Sequence, residues 1–371
     1  MKFLTLQVVL AGLCVSAQAT RFYLGTGVGG PDAPGIYTGT LDVRNGTLGK
    51  LELVATLPFQ PYLALTPDGK FIYDDAGGGL ADLVAYRVET NGGLIRLNAL
   101  PSGKGSCHVS VDATGRYVFV ANYAGGNISC FQTTTNGSLA ANVSFLNFKG
   151  SGPNPRRQDH PYLHSTYFDS SNRHLYACDL GTDHVWIFDF DAKGGTLTPA
   201  QPPFARVAPG SGPRHLAFSP NGRFAYVNGE MGLNVTVFAR DAKTGALDVL
   251  QTVPTLPPEA EPNNITTAAI FCHSSGKWLY VSNRDVAERG RDSLEVYAIG
   301  EDGKLTWLQK APAQVKVPRS FALDPDGHWL IACGQRDNKI AVFKIESATG
   351  KLSFTGQTAA VGSPTCVIFA P

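Results

Sequence analysis

Methionine is nearly missing from this chain, with 2 in 371 residues, and charge is sparse, at 16% of residues. The 31 basic and 30 acidic residues leave a formal net charge of +1, so no cationic field exists for nucleic acid or an anionic membrane. No apolar run reaches the roughly 18 residues of a membrane span. Cysteines never fall in C-x-x-C pairs, and an H-E-x-x-H helix, a G-x-S-x-G elbow, a Walker loop and an EF-hand loop are all missing. Those absences argue against structural zinc, zinc proteases, nucleotide hydrolases and calcium loops. No cofactor and no metal are expected. The D-x-G turns resemble calcium loops only superficially, because the ligand spacing is not there.

What is abundant is glycine and proline, 41 and 24 residues, beside a 43% hydrophobic content. That combination suits many short strands joined by tight turns, and predicts an all-β protein with a large packed core. The chain starts with Lys2, an apolar run from Phe3 to Val15, and Ala17-Gln18-Ala19. A charged start, a short apolar stretch and an A-x-A ending describe a cleavable secretory leader over residues 1–19, so the mature protein is expected to begin near Thr20 and to be extracellular. Six N-x-S/T sequons, at Asn45, Asn127, Asn136, Asn142, Asn234 and Asn264, agree with that route and predict a glycoprotein. Cys107, Cys130, Cys178, Cys272, Cys333 and Cys366 remain after the leader, in apolar strand-like runs that suit buried thiols or one or two bridges better than a cysteine scaffold.

Internal periodicity decides the architecture. A Gly-x-Leu motif follows a β-rich run at Gly46, Gly92, Gly137, Gly195, Gly245, Gly303 and Gly350, spaced 46, 45, 58, 50, 58 and 47 residues apart. Each reads as the turn of an outer hairpin. Six inner hairpins interleave, among them HVSVDATGRYVFVAN and HLAFSPNGRFAYVNG, and the missing halves of a seventh are RFYLGTG and PTCVIFAP at opposite ends of the mature chain. Seven four-stranded units of about 50 residues predict one seven-bladed β-propeller over residues 20–371, its last blade closed by both chain ends so that no sheet edge is left open.

In a propeller the starts of the inner strands converge on a central channel. Those positions hold Cys107-His108, Leu163-His164, Arg214-His215 and Arg319-Ser320, while the ends of the following strands add Asp179, Glu230, Arg284 and Gln335. The strings GSCHVSVDATGRYVFVANY, RQDHPYLHSTYFD, SGPRHLAFSPNGRFAYVNGE, SNRDVAERGRDSLEVY and PRSFALDPDGHWLIACGQ resemble the lactonase propeller family, which contains bacterial 6-phosphogluconolactonase and fungal 3-carboxy-cis,cis-muconate cyclase. The resemblance implies a metal-free enzyme of lactone rings, with catalytic groups at His164, Arg214, Glu230 and Arg284. His108, Arg157, Gln158 and Gln335 are further substrate-binding candidates. His164 or Glu230 would handle protons, and the arginines would clamp a carboxylate or stabilise an oxyanion.

This chain departs from the family pattern at Tyr162, where P-H-x-H-S would place a histidine, at Gly229, where asparagine is usual, at Ala269, a frequent glutamate position, and in an insertion at Asp285 to Arg289. The bland readings make His164 a hydrogen-bonded core histidine, Arg214 and Arg284 blade-to-blade staples, Arg289 and Arg291 solvated charges, and His174, His184 and His215 strand-surface or turn residues. The leading expectation is hydrolysis of a sugar-acid lactone, with a phosphorylated sugar disfavoured by secretion. Lactonising cycloisomerisation of a muconate and a non-catalytic secreted glycoprotein or adhesin are the alternatives. The expected partner is a small lactone or carboxylate, without nucleic acid or membrane.

Overall fold

The computed structural model describes residues 19–57, 62–75, 82–257 and 259–371; the proposed leader lies almost wholly outside them. Alternating apolar residues and glycine turns give twenty-eight strands, and no helix occurs among the described residues. The chain enters through β1 (Ala19–Thr26), β2 (Gly35–Asp42) and β3 (Glu52–Thr56). A second sheet holds β4 (Leu63–Leu65), β5 (Phe71–Asp74), β6 (Asp82–Val88) and β7 (Leu94–Pro101). The third holds β8 (Ser106–Val111), β9 (Tyr117–Asn122), β10 (Asn127–Thr133) and β11 (Leu139–Asn147). The fourth is β12 (Leu163–Phe168), β13 (His174–Asp179), β14 (His184–Asp191) and β15 (Thr196–Arg206). The fifth is β16 (Pro213–Phe218), β17 (Phe224–Gly229), β18 (Asn234–Arg240) and β19 (Leu247–Pro254). The sixth is β20 (Ile265–Cys272), β21 (Trp278–Asp285), β22 (Ser293–Ile299) and β23 (Leu305–Pro312). The seventh is β24 (Pro318–Leu323), β25 (Trp329–Gly334), β26 (Lys339–Ile345) and β27 (Leu352–Ala360). Finally β28 (Pro364–Phe369) returns to pair antiparallel with β1, completing the first blade from the two ends as the split repeat predicts.

The innermost strands β28, β4, β8, β12, β16, β20 and β24 touch in turn and close on themselves, which makes the sheets blades around one axis. The core lies between blades. Each of seven apolar clusters straddles two neighbours, as where Phe224, Tyr226 and Val237 of the fifth blade meet Ile270, Leu279 and Val281 of the sixth. Fully burying one such side chain stabilises the fold by about 1.5–3 kcal/mol, so the ring is held by sheet-to-sheet packing.

The repeated Gly-x-Leu turn has a role in that packing. At every junction the glycine sits against a large side chain from the preceding blade, and a tyrosine or tryptophan from the same blade bonds the turn. Tyr226 Oη donates to the Gly303 carbonyl at 3.1 Å, Tyr280 to Gly350 at 2.8 Å and Tyr73 to Gly137 at 2.9 Å. Tyr23, Tyr117, Tyr176 and Trp329 Nε1 make the corresponding bonds at the other four junctions. Gly303 has φ +80°, and a Cβ there would come within 2.3 Å of the Phe224 ring, so the clasp demands glycine for both its backbone and its missing side chain.

Candidate active site

A β-bulge at the same place in six of the seven inner strands builds the site. In β12 Leu163 faces Asp179 and Ser165 faces Cys178, which leaves His164 as the extra residue. The same slip frees Arg214 in β16, Arg319 in β24, Cys107 in β8, Thr365 in β28 and one residue at Ala268–Ala269 in β20. A bulged residue escapes the in-out alternation of a strand and can be re-aimed. Here His164, Arg319 and Cys107 face one cavity of about 290 Å³ at the channel mouth. Glu230, immediately after β17, and Arg284, at the end of β21, reach it from their own blades, and Tyr123, Arg157, Gly105 and Ala124 complete its wall.

Glu230 is the hub. Its Oε1 accepts from Arg157 Nη2 at 2.7 Å and its Oε2 from Arg214 Nε at 3.0 Å, while Arg284 Nη2 lies 3.3 Å from Oε2 and His164 Nε2 3.9 Å. Arg214, 2% exposed, also bonds the Ala268 carbonyl of the next blade at 2.6 Å, and Arg284 the Thr267 carbonyl at 3.2 Å. Both therefore act as staples as well as lining the charge cluster. The Nε of Arg284 is buried without a partner. Arg319 makes no hydrogen bond or ion pair with any described residue, although it faces the same cavity.

Four guanidiniums against one carboxylate leave this mouth strongly cationic. Burial pushes the Glu230 carboxyl up, but Arg284, Arg214, His164 and Arg157 outweigh it and hold the group well below the usual carboxylate range. Burial, helped by the Arg214 charge, pulls His164 well below the usual imidazole range, so the ring is neutral and can accept a proton. Burial likewise lowers Arg284 to about 9, with Glu230 opposing, and raises the Cys107 thiol to about 12, which makes that sulfur a neutral wall contact rather than a nucleophile. The arrangement offers a neutral base, a fixed carboxylate beside it, and unpaired cationic donors for an anion or a developing oxyanion.

The family model for lactonases described as seven-bladed β-propellers matches residues 21–369. This chain belongs to the lactonase family. The 6-phosphogluconolactonase of Bacillus subtilis strain 168 is 32% identical over 354 residues, covering 94% of this chain and 97% of its own. That of Pectobacterium carotovorum is 31% identical, over 83% of this chain and 88% of its own. The solved structure of the periplasmic gluconolactonase of Pseudomonas aeruginosa superposes with a TM-score of 0.88 at 27% identity, over 95% of this chain and 99% of that one.

Within this lactonase-family propeller, the structure brings together five of the eight proposed site residues: His164, Arg214, Glu230, Arg284 and Arg157. The other three fall elsewhere. Gln158 is buried in its own loop, donating to the Leu180 carbonyl at 2.9 Å and accepting from Asn154 N at 3.1 Å, so its amide is committed to the fold. Gln335 occupies the strand-end position equivalent to Glu230 but does not line the cavity; its backbone N–H bonds Val317. His108 lies off the cavity in an aromatic cluster, its ring 4.3 Å from Tyr62 and 5.5 Å from His215. There burial lowers it to about 3.

His215 is correspondingly no strand-surface residue: it is buried in that cluster with Nε2 3.0 Å from Arg214 Nη1. His174 is buried as well, 2.8 Å from Asp169, and His184 stacks on Phe204 at 4.3 Å. Asp179 takes bonds from Tyr162, Gly181, Thr182 and Trp186 and is structural. Cys107 and Arg319, placed by sequence at channel-facing strand starts but given no role, also line the cavity, and so does Tyr123, which sequence did not single out. Arg319 had a signal: Pro318-Arg319-Ser320 repeats the Pro213-Arg214-His215 pattern one blade-pair later. A second buried carboxyl, Asp75, stands at the Glu230-equivalent position of the second blade, with Oδ1 taking the Tyr62 N–H at 2.8 Å, Oδ2 unpartnered, and burial raising it to about 7.

The departures from the family pattern have local causes. Tyr162 stacks on Tyr123 at 4.6 Å and bonds Asp159 at 2.8 Å, forming an aromatic rim. A Cβ on Gly229 would meet Ser211 Oγ at 2.2 Å and Asn234 Oδ1 at 2.6 Å, so asparagine has no room. Arg291, just past the insertion, is pinned rather than solvated, in a double contact with Asp285 and bonded to the Glu261 and Asn263 carbonyls, whereas Arg289 is exposed as the solvated reading expects. Of the sequons, Asn45, Asn136, Asn142 and Asn264 are exposed, Asn234 is half-buried and accepts from Ser211, and Asn127 is buried with its amide bonded to Gly125 and Asn122. The folded Asn127 site has no room for a glycan. The six described cysteines are free, four of them buried, which matches the buried-thiol alternative rather than the bridged one.

Proposed function

We propose that this protein is a secreted hydrolase of sugar-acid lactones, acting on unphosphorylated aldonolactones. The observation that carries the reading is the unpaired Arg319 guanidinium facing the same cavity as neutral His164 and arginine-held Glu230. The lactone would sit with its carbonyl oxygen toward Arg319 and the free Nε of Arg284. His164 takes a proton from water as the water oxygen bonds the carbonyl carbon, and the carbonyl electron pair moves onto oxygen, where the guanidiniums stabilise it. Glu230 stabilises the imidazolium so formed. When the oxyanion collapses, the ring C–O bond breaks and the imidazolium returns its proton to the leaving ring oxygen, giving the hydroxy acid. The relatives named above are lactonases, which favours hydrolysis over cycloisomerisation. The Lys2 to Ala19 pattern supports secretion, and secretion disfavours a phosphorylated substrate.

The test is loss of glucono-δ-lactone and of 6-phosphogluconolactone above the spontaneous rate, with wild type beside His164→Ala and Arg319→Gln. The expected result is turnover of the unphosphorylated lactone that falls in both variants. Turnover equal in wild type and His164→Ala, or none with either lactone, overturns the enzymatic reading. N-terminal sequencing of the exported protein is expected to start near Thr20; an intact Met1 overturns secretion by this leader.

A further inference from the structure

Six blades turn from inner to second strand through the same tight loop, and five of them show what the sixth lacks. In each, the side chain of the first loop residue caps the turn, and the residue two positions later pairs with it. Thr66 donates to Asp68 at 2.7 Å, Thr114 to Asp112 at 2.6 Å, Ser171 to Asp169 at 2.9 Å and Ser219 to Asn221 at 2.8 Å, while His273 and Ser275 lie 2.8 Å apart. Every one of these pairs contains a donor. The residue two further on is always a fixed cation: Lys70, Arg116, Arg173, Arg223 or Lys277.

The seventh blade breaks both rules at once. Its loop places Asp324 and Asp326 in the paired positions, two carboxylates with no hydrogen to share, and His328 where the siblings carry Lys or Arg. Asp324 keeps the cap, its Oδ1 accepting from Trp329 N at 2.6 Å, exactly where Asp112 accepts from Tyr117 N at 2.8 Å. Its Oδ2 is buried and has no partner, in a residue only 3% exposed, whereas Asp112 Oδ2 is met by Thr114 and Asn172. One oxygen each of Asp324 and Asp326 and one ring nitrogen of His328 lie within 4.8 Å of one another.

We propose that this turn binds a divalent transition-metal cation through Asp324, Asp326 and His328. A cation supplies what the sequence has removed, a positive centre between two acceptors. The imidazole selects a borderline metal such as Zn²⁺ over Ca²⁺ or Mg²⁺, which take oxygen ligands. Ligands at about 2.1 Å span up to about 4.2 Å across a metal, so small rotations of the exposed Asp326 and His328 close the site, with water filling the remaining positions. The turn follows the far end of β24 from Arg319, roughly 16 Å along the strand. The metal is therefore separate from the lactone site, and its loss leaves hydrolysis unchanged.

The experiment is calorimetric titration and metal analysis after dialysis of tag-free, full-length protein with Zn²⁺, with Ca²⁺ as competitor. The comparison is D326S/H328R, which restores the donor and cation of the sibling turns. The expected result is about one Zn²⁺ per chain, removed by EDTA and not displaced by equimolar Ca²⁺, with binding at least about 100-fold weaker in the variant at unchanged Tm and lactone turnover. Zn²⁺ binding of equal strength in both proteins puts the metal elsewhere and overturns the proposal. No binding by wild type overturns it in favour of a proton shared between the two carboxyls, and displacement by equimolar Ca²⁺ overturns the assigned metal class.

Discussion

Replacing Glu230 with glutamine keeps the shape of the hub and removes its charge, which makes it the sharpest test of the electrostatics. Arg214 and Arg284 are both buried against that carboxylate, and Arg157 adds a half-exposed third partner. Removing one member of a buried ion pair leaves the other charge uncompensated, at a cost of about 3–5 kcal/mol. At about 2.1 cal/mol/K per residue, the unfolding entropy of a ring of roughly 350 residues is about 0.7 kcal/mol/K, so Tm falls by about 4–7 °C. Because the folded carboxyl titrates below the unfolded one, its contribution is complete above the ordinary carboxylate range and is lost as pH falls toward the folded value. The gap between wild type and Glu230→Gln is therefore constant from pH 6 to 8 and narrows below about pH 4.5. Calorimetry across that range, with sulfate added to one series, is the assay. Sulfate should restore part of the lost Tm in the variant by seating an anion among the guanidiniums. Equal Tm values at neutral pH would show that Glu230 does not neutralise the arginines.

His164→Ala should lower kcat by about 10²–10⁴ while Tm changes little, and because burial keeps the imidazole neutral, wild-type kcat/KM should stay flat from pH 6 to 8; an acid limb centred at the ordinary imidazole value would refute the neutral-base role. Arg319→Gln removes an unpaired cation, so turnover should fall about 10-fold or more without loss of Tm, and an equal fall in stability would show a structural role instead. Gly303→Ala combines a left-handed backbone with a Cβ 2.3 Å from Phe224, whereas Gly356→Ala has a similar φ of +81° and open space; chemical denaturation should show the first costing at least about 1 kcal/mol more than the second. Deleting Phe369 to Pro371 removes the Phe369–Phe22 edge contact at the closing blade and should lower Tm, and an unchanged value would argue against closure by the terminal strand.

The ring was legible because its signal is repeated. Seven Gly-x-Leu turns and a split terminal blade specify strand number, order and closure without any single residue having to be read correctly. The hub was legible for a narrower reason: His164 and Arg214 stand at inner-strand starts and Glu230 and Arg284 at second-strand ends, which converge on the channel, and the family resemblance singled out these four among the converging positions. What the one-dimensional pattern did not carry is contact between residues far apart in the chain. The glycines read as turn formers, yet half of their requirement comes from a side chain of the neighbouring blade far away in sequence, as Phe224 is to Gly303, about 80 residues later. Gln158 and Gln335 looked like binding residues by neighbourhood, and their fate was set by Leu180 and by a strand-end geometry invisible in local sequence. His215 misled in the opposite direction: it keeps its pairing with Asn228 beside the bulge but is buried against the rings of Tyr62 and His108, contacts from other blades that local sequence does not show.

That bulge is the device that lets a rigid ring host chemistry. An ordinary strand position points either into the channel or into the packing between blades, so a charged residue there would disturb the core or lie where the next blade dictates. The extra residue is exempt from this choice, because its neighbours on both sides keep their register: Leu163 and Ser165 stay paired while His164 is re-aimed, as do Pro213 and His215 around Arg214, and Pro318 and Ser320 around Arg319. The six bulged positions can therefore change identity independently of the fold, and across this ring they already range from Cys107 to Arg319 and Thr365. Substrate preference in such a propeller should follow from which of these positions are charged and from which blades they come. The sheets that present them are held separately, by the interblade clasps at the repeated glycines.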